Sequence, residues 1–229
     1  PSRSYIEENY HCDLNQDSIE DPGEIIDFPD HSFVITFVVH ENDGLDLGVP
    51  SDGGYDDDNP EDDWKIVLPS TGGGLHYYVD WGDGECQFID SASASHSYEN
   101  SSRDKVISTG SKTTATENAI DTYEYQVRVI GRFKNLNGNL SDSNSNIYYK
   151  DRLRSVISMG DVGWSDLSGA FAYIKDPNFT ISLDFINTKN VTKMGAMFEG
   201  LSQLSVLNLN PINGEFDTSN VLFIVGGAF

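Results

Sequence analysis

Apolar and polar residues alternate with a period of two along several short stretches of this chain. Leu75 to Glu85 sets Tyr77, Val79 and Trp81 on one face and Tyr78 and Asp80 on the other before turning at Gly82 to Gly84, and the mostly apolar runs Ser32 to Val39 and Trp64 to Leu68 supply earlier strands. Thr122 to Gly131 repeats the alternation, with Tyr123, Tyr125, Val127 and Val129 on one side. A period of two belongs to strands, because successive side chains point to opposite faces. Short strands separated by Gly, Ser and Asp turns predict an antiparallel sandwich. The run Gly72 to Gly74 is followed by neither a lysine nor a helical pattern, so it reads as a turn and not as a phosphate cradle.

Toward the C-terminus the period changes. Leu201, Leu204, Leu207 and Leu209 step from the spacing of a helical turn to that of a strand. Three related phrases, residues 164–171, 191–198 and 221–229, recur at intervals of 27 and then about 31 residues. Such recurrence marks stacked units, each too small to bury its own apolar face. Within a unit, Val206 to Leu209 is expected to pair in parallel with its neighbours while Asn210 and Pro211 turn the chain outward. Asp217 to Val221 echoes Asn187 to Val191, a polar turn leading into an apolar segment expected to carry Met194, Met197 and Phe198 inward.

The sequences FDTSNV and NVTKMGAMFEGLSQLSVLNLN resemble the BspA-like leucine-rich repeats of bacterial surface proteins. Residues 221–229 depart from that pattern by one extra residue and by Leu222 to Val225 in place of a polar start, and they imply a repeat array truncated at its C-terminus. The W-G-D-G turn at Trp81 to Gly84 is similar to the centre of polycystic-kidney-disease-type immunoglobulin-like domains, with Ser95 to Tyr98 and Thr122 to Gly131 in the places of that family's tyrosine-bearing motif and closing strand. In such surface proteins a G-x-x-G-W junction leads into the repeats. Gly160 to Trp164 matches it, which implies that Trp164 caps the first repeat. Together these resemblances imply a mainly β chain: a linker at 1–30, an immunoglobulin-like antiparallel β-sandwich at 31–150, and a partial leucine-rich repeat solenoid at 151–229.

Composition agrees with an exported module. A formal charge of -23 over 229 residues argues against nucleic acid, whose phosphates require basic patches, and against electrostatic docking to anionic membrane. No apolar run has membrane-spanning length, and none reads as a signal peptide, which a mature or excised segment would lack in any compartment. The two cysteines, Cys12 and Cys86, either join in a bond suited to an oxidising exterior or remain separate thiols. Joined, they would close a long loop and contribute about 4 kcal/mol in the chain-entropy account.

The sharpest chemical motif spans residues 13–24. Asp13, Asn15, Asp17, the Ile19 carbonyl, Asp21 and Glu24 carry oxygen at the spacing of a calcium loop, with Asp21 direct or through water and Glu24 bidentate. The segment resembles thrombospondin type-3 and EF-hand loops. Ser18 stands where glycine makes the sharp turn, Glu20 where an apolar residue is usual, and Pro22 opposes an exit helix, which favours the thrombospondin-like form. Ca2+ is the cofactor expected here; an acidic interdomain linker is the alternative. Residues 41–63 hold ten Asp or Glu and no Lys or Arg, and read as a solvated loop. Asp56 to Asp58 with Asp62 and Asp63 is the place in it for a weak second calcium site. Asp80, Asp83 and Glu85 read as solvated hairpin residues more readily than as cation ligands.

Catalytic patterns are missing from the sequence. His11, His31, His40, His76 and His96 are scattered, and there is no H-E-x-x-H, G-x-S-x-G or Walker pattern. His96 between Ser95 and Ser97 fits side-chain hydrogen bonding at a strand start. The N-x-S/T triplets at Asn100, Asn139, Asn178 and Asn190 are expected by chance in so Asn- and Ser-rich a chain. Residues 135–146 read as a polar loop closing the sandwich. The expected function is a non-enzymatic, calcium-stabilised binding or adhesion module, secreted or on a cell surface, presenting its repeats to a protein, cell-surface ligand or glycan. A carbohydrate-binding accessory module of a secreted hydrolase, with Tyr77 and Tyr78 in a sugar-contacting patch, and a purely structural spacer are the alternatives.

Overall fold

The structure is a computed structural model, and it describes residues 32–40, 65–83, 85–90, 93–98, 122–136, 149–174, 176–202, 204, 207, 211 and 213–222. These residues are mainly β with almost no helix. The strands are β1 (Phe33–His40), β2 (Lys65–Leu68), β3 (His76–Asp80), β4 (Cys86–Ile89), β5 (Ala94–Ser97), β6 (Thr122–Arg132), β7 (Leu153–Ser158) and β8 (Thr180–Ile181). A six-stranded sheet runs in the order β4-β3-β6-β1-β7-β8, and β2 and β5 form a two-stranded sheet.

Alternation decides which residues form the core. Phe33, Ile35, Phe37 and Val39 of β1, Tyr77 and Val79 of β3, and Tyr125, Val127 and Val129 of β6 are all fully buried. Ile66 and Leu68 of β2 and Ala94 of β5 join them from the smaller sheet. Tyr98, just past β5, stacks on Tyr125 of β6 with ring centroids 3.7 Å apart, so the two sheets meet through aromatic faces. Each such large apolar side chain contributes about 1.5–3 kcal/mol on leaving water. The antiparallel register β1 to β6 is unbroken from Phe33↔Val129 to His40↔Thr122, which keeps every inward residue on the same side.

Strand β7 pairs antiparallel with β1 and parallel with β8, so one sheet continues from the first part of the chain into the last. From there, parallel backbone hydrogen bonds link segments about one repeat apart. The Ser165 amide donates to the Lys134 carbonyl at 2.8 Å, the Thr192 amide to Ser165 at 3.0 Å, and the Leu222 amide to Thr192 at 2.8 Å. A second file joins Leu167 to Lys193, Gly169 to Gly195, Phe171 to Met197 and Tyr173 to Glu199, all at 2.7–2.9 Å. Isolated parallel bridges connect Asn135 to Asp166, Asp166 to Lys193 and Asn187 to Glu215.

Side chains keep the same interval. Phe171 and Phe198 close equivalent phrases, and their rings stack at 5.9 Å. Left-handed backbone recurs as well: Gly169 and Ala196 have φ of 63° and 56°, and Tyr173 and Gly200 have φ of 58° and 75°. Met194, Met197 and Phe198 are buried, as their phrase predicts. Val206 and Leu209 of the expected strand, and residues 223–229 of the third phrase, lie outside the described residues.

Two sequence expectations change here. Asn135 and Leu136 open the run read as a polar loop closing the sandwich, yet they are 7% and 0% exposed. The Asn135 side chain accepts from the Thr71 amide at 2.9 Å and donates to the Thr71 carbonyl at 2.7 Å, so the end of β6 is fastened to the β2–β3 connection and forms the first step of the ladder. Trp164 does more than cover an edge. Its ring packs edge-on against Phe33 at 5.1 Å and Phe133 at 5.8 Å, and its Nε1–H is shared between the carbonyls of Met159 and Gly160. It is a buried joint between the sheets and the ladder.

Candidate functional site

The W-G-D-G turn joins β3 to β4. Asp80 Oδ1 accepts from the Gly82 amide at 2.9 Å, and Asp83 Oδ1 accepts from the Glu85 amide at 3.0 Å, so two aspartate side chains replace backbone partners in the turn. Gly82 sits at φ 82°, and a Cβ there would lie 2.6 Å from the Gln126 carbonyl oxygen of β6. Only glycine lets the turn lie this close to the neighbouring strand.

Asp83 was expected to be solvated, and the structure corrects this. Its side chain is fully buried, and its Oδ2 accepts from His96 Nε2 at 2.8 Å. The imidazole stacks on Trp81 at 5.0 Å and 15°, and meets Tyr98 edge-on at 4.6 Å. Tyr98 donates its hydroxyl to the Trp81 carbonyl at 2.6 Å. Burial, reinforced by Asp83 and other nearby acids, pushes the Tyr98 phenol well above its ordinary pKa, which keeps it a donor. The other imidazole nitrogen faces the Glu85 carboxylate at 3.8 Å. Both ring nitrogens of His96 thus face acids, and the cluster ties the turn to β5.

Of the residues proposed for a sugar-contacting patch, Tyr77 is fully buried and hydrogen-bonds Ser70 at 3.0 Å, so it drops out of any surface site. Tyr78 lies on the opposite face with Phe88 and His76, whose rings meet at 4.9 and 4.7 Å. Cys86 on the edge strand β4 is disulfide-bonded, and the sequence holds one other cysteine, Cys12, outside the described residues.

Asp13, Asn15, Asp17, Ile19, Asp21 and Glu24 all lie outside the described residues, as does the acidic stretch 41–63. Among the described residues, no three Asp, Glu, His or Cys side chains converge as metal ligands. No helix among them is long and apolar enough to cross a membrane.

The ladder offers a different kind of surface. Its turns are held by side chains: Asp166, Asn187 and Asp217 each accept from the amide two residues on. Thr188, fully buried, donates to the carbonyls of Glu215 and Asp217, 27 and 29 residues on. On the outside, Asn187 donates to Asp161 at 3.2 Å and Asn220 to the Lys189 carbonyl at 2.8 Å. Tyr173 is 49% exposed and held in left-handed backbone, a conformation costing about 1–3 kcal/mol for a bulky residue. No sequence pattern marks Tyr173 by itself. The signal was Gly200, its repeat equivalent, where glycine takes the same backbone without strain. Arg154 was also missed. It pairs with Asp176 before β8 and with Glu124 of β6 at 3.3 Å, bridging β6 to the β8 side of the large sheet.

Comparison with family models, with curated proteins and with solved structures finds no match for this chain.

Proposed function

We propose that this chain is a non-enzymatic binding module, secreted or displayed on a cell surface, in which an immunoglobulin-like sandwich caps a leucine-rich repeat solenoid and holds it out to a protein or cell-surface partner. The observation that carries this reading is the file of parallel hydrogen bonds running from Lys134 at the end of β6 through Ser165 and Thr192 to Leu222. A ladder of this kind buries its apolar side between coils and leaves an extended outer surface, which suits docking better than it suits an enclosed reaction. The disulfide at Cys86 supports an oxidising exterior. Calcium at residues 13–24 would stiffen the N-terminal segment, with Asp13, Asn15, Asp17, Asp21 and Glu24 giving side-chain oxygens and Ile19 its carbonyl.

A second reading, a glycan-binding accessory module, is favoured by one observation: His76, Tyr78 and Phe88 cluster on the outer face of the large sheet. One experiment separates the two. The intact chain is immobilised and exposed to animal cells, bacterial cells, purified extracellular proteins and a glycan array. The binding-module reading expects capture of cells or a protein that substitutions at the exposed ladder residues Tyr173, Lys189 and Leu222 abolish and Phe88→Ser leaves intact. Glycan binding lost in Phe88→Ser and kept in the ladder variants would overturn it in favour of the accessory module.

A further inference from the structure

We propose that Tyr173 and Glu199 form a docking point for an arginine side chain on a basic protein partner; this rests on the binding-module reading and names the chemistry of its contact. Among the described residues, Tyr173 is one of the few large apolar side chains left exposed, together with Ile157 and Leu222. Its position is fixed at three points. Its backbone is left-handed, at φ 58°. Its amide donates to the Glu199 carbonyl at 2.7 Å, and its hydroxyl donates to Glu199 Oε1 at 2.5 Å. Its ring fills the space that a side chain on residue 200 would take: a Cβ on Gly200 would lie 2.8 Å from Cε1 and 3.3 Å from Cγ.

An aromatic ring held this way loses little freedom when a partner arrives, which is the usual cost of ordering an exposed side chain. The phenol spends one hydrogen bond on Glu199, and that bond raises the phenol's pKa and keeps it a donor. The carboxylate retains further acceptor sites for another donor. A π face beside a carboxylate with spare acceptor capacity matches a guanidinium, which stacks through its plane and donates through its edge. The whole chain favours the same sign of ligand: at -23 it attracts cations over distance and repels sulfated or carboxylated glycans.

The test uses the full chain, with hexa-arginine, hexa-lysine and cellohexaose as probes in calorimetric titrations at low salt. Hexa-arginine should bind more tightly than hexa-lysine. Tyr173→Ala should weaken hexa-arginine by about fivefold, the size of an exposed cation–π contact. Glu199→Gln should weaken it as well, and Glu215→Gln, an exposed acid elsewhere on the ladder, should leave it within about twofold. Gly200→Ala should act like Tyr173→Ala by displacing the ring, with unchanged circular dichroism confirming the fold. Equal losses from Glu199→Gln and Glu215→Gln, with Tyr173→Ala without effect, would overturn the proposal, since net charge alone would then explain binding. Cellohexaose binding that depends on Tyr173, with hexa-arginine indifferent to it, would also overturn it and make the ring a sugar platform. Tyr173-dependent hexa-arginine binding without any cell or protein capture would sink the broader function and leave this site. Partner capture indifferent to Tyr173→Ala would do the reverse.

Discussion

Replacing Asn135 with alanine removes one of two side chains that tie the start of the ladder to the β2–β3 connection, the other being Lys134, whose Nζ donates to the Gly73 carbonyl at 2.8 Å. Two hydrogen bonds are lost, from the Thr71 amide to Oδ1 at 2.9 Å and from Nδ2 to the Thr71 carbonyl at 2.7 Å. Thr71 is exposed, so water can satisfy its backbone groups after the change, and the cost is the net value of two bonds and not that of two stranded polar groups. That gives about 2 kcal/mol. Urea denaturation followed through the fluorescence of Trp164, buried at the joint, reads this as a lower midpoint with an unchanged slope. If the ladder depends on β6 for its first step, hydrogen exchange at Leu167, Gly169 and Phe171 should accelerate by the same free energy as exchange in β1 and β6. A loss below about 0.5 kcal/mol, or accelerated exchange confined to residues near Thr71, would refute the idea that the sheets and ladder fold as one unit.

Three further outcomes follow from the structure, and a fourth from the calcium spacing of the sequence. Lys150 is 3% exposed, and burial, partly offset by Asp151, lowers its pKa from 10.5 to about 8. The unfolded chain holds that proton between about 8 and 10.5 and the folded chain does not, so stability should rise with pH across this window, and Lys150→Met should flatten the rise in urea midpoints. Tyr98 and Tyr149, kept protonated by burial, should bring stability down again above about 10, where the unfolded tyrosines ionise. Arg154→Met leaves the mostly buried Asp176 without its guanidinium and should cost about 1–2 kcal/mol, less at high salt; a change under a few tenths in a melting experiment would show that the bridge between β6 and the β8 side carries no load. Chelation should lower the melting temperature and increase protease cutting near residues 13–24, with Asp17→Ala reproducing the loss in calcium; unchanged curves would remove the metal from the account.

Period-two alternation located β3 and β6 because each has one face in the core, and inward Tyr77, Val79 and Trp81 follow from it directly, whereas β1 is legible only as a short apolar run. The same alternation should have kept Tyr77 out of a surface patch. The ladder was legible in part from phrase recurrence, since the stacked Phe171 and Phe198 end equivalent phrases. What escaped depended on partners distant in sequence. Asp83 reads as a turn residue until His96, on β5 of the other sheet, covers it. Asn135 and Leu136 open a run of Asn and Ser whose composition hides two buried positions, and Asn135 acquires its meaning only from Thr71, 64 residues earlier. Arg154 looks like any strand-edge cation until the fold brings Glu124 and Asp176 to either side of it.

The most direct test of the account is through-hydrogen-bond scalar coupling, measured by NMR on deuterated, isotope-labelled protein. Couplings are predicted from the amide nitrogens of Leu167, Gly169, Phe171 and Tyr173 to the carbonyl carbons of Lys193, Gly195, Met197 and Glu199, and from Ser165 and Thr192 to the carbonyls of Lys134 and Ser165. Their appearance would establish coil stacked on coil from the end of β6 onward. Amides that instead couple within their own segment, or exchange with water at the rate of an unfolded chain, would contradict it.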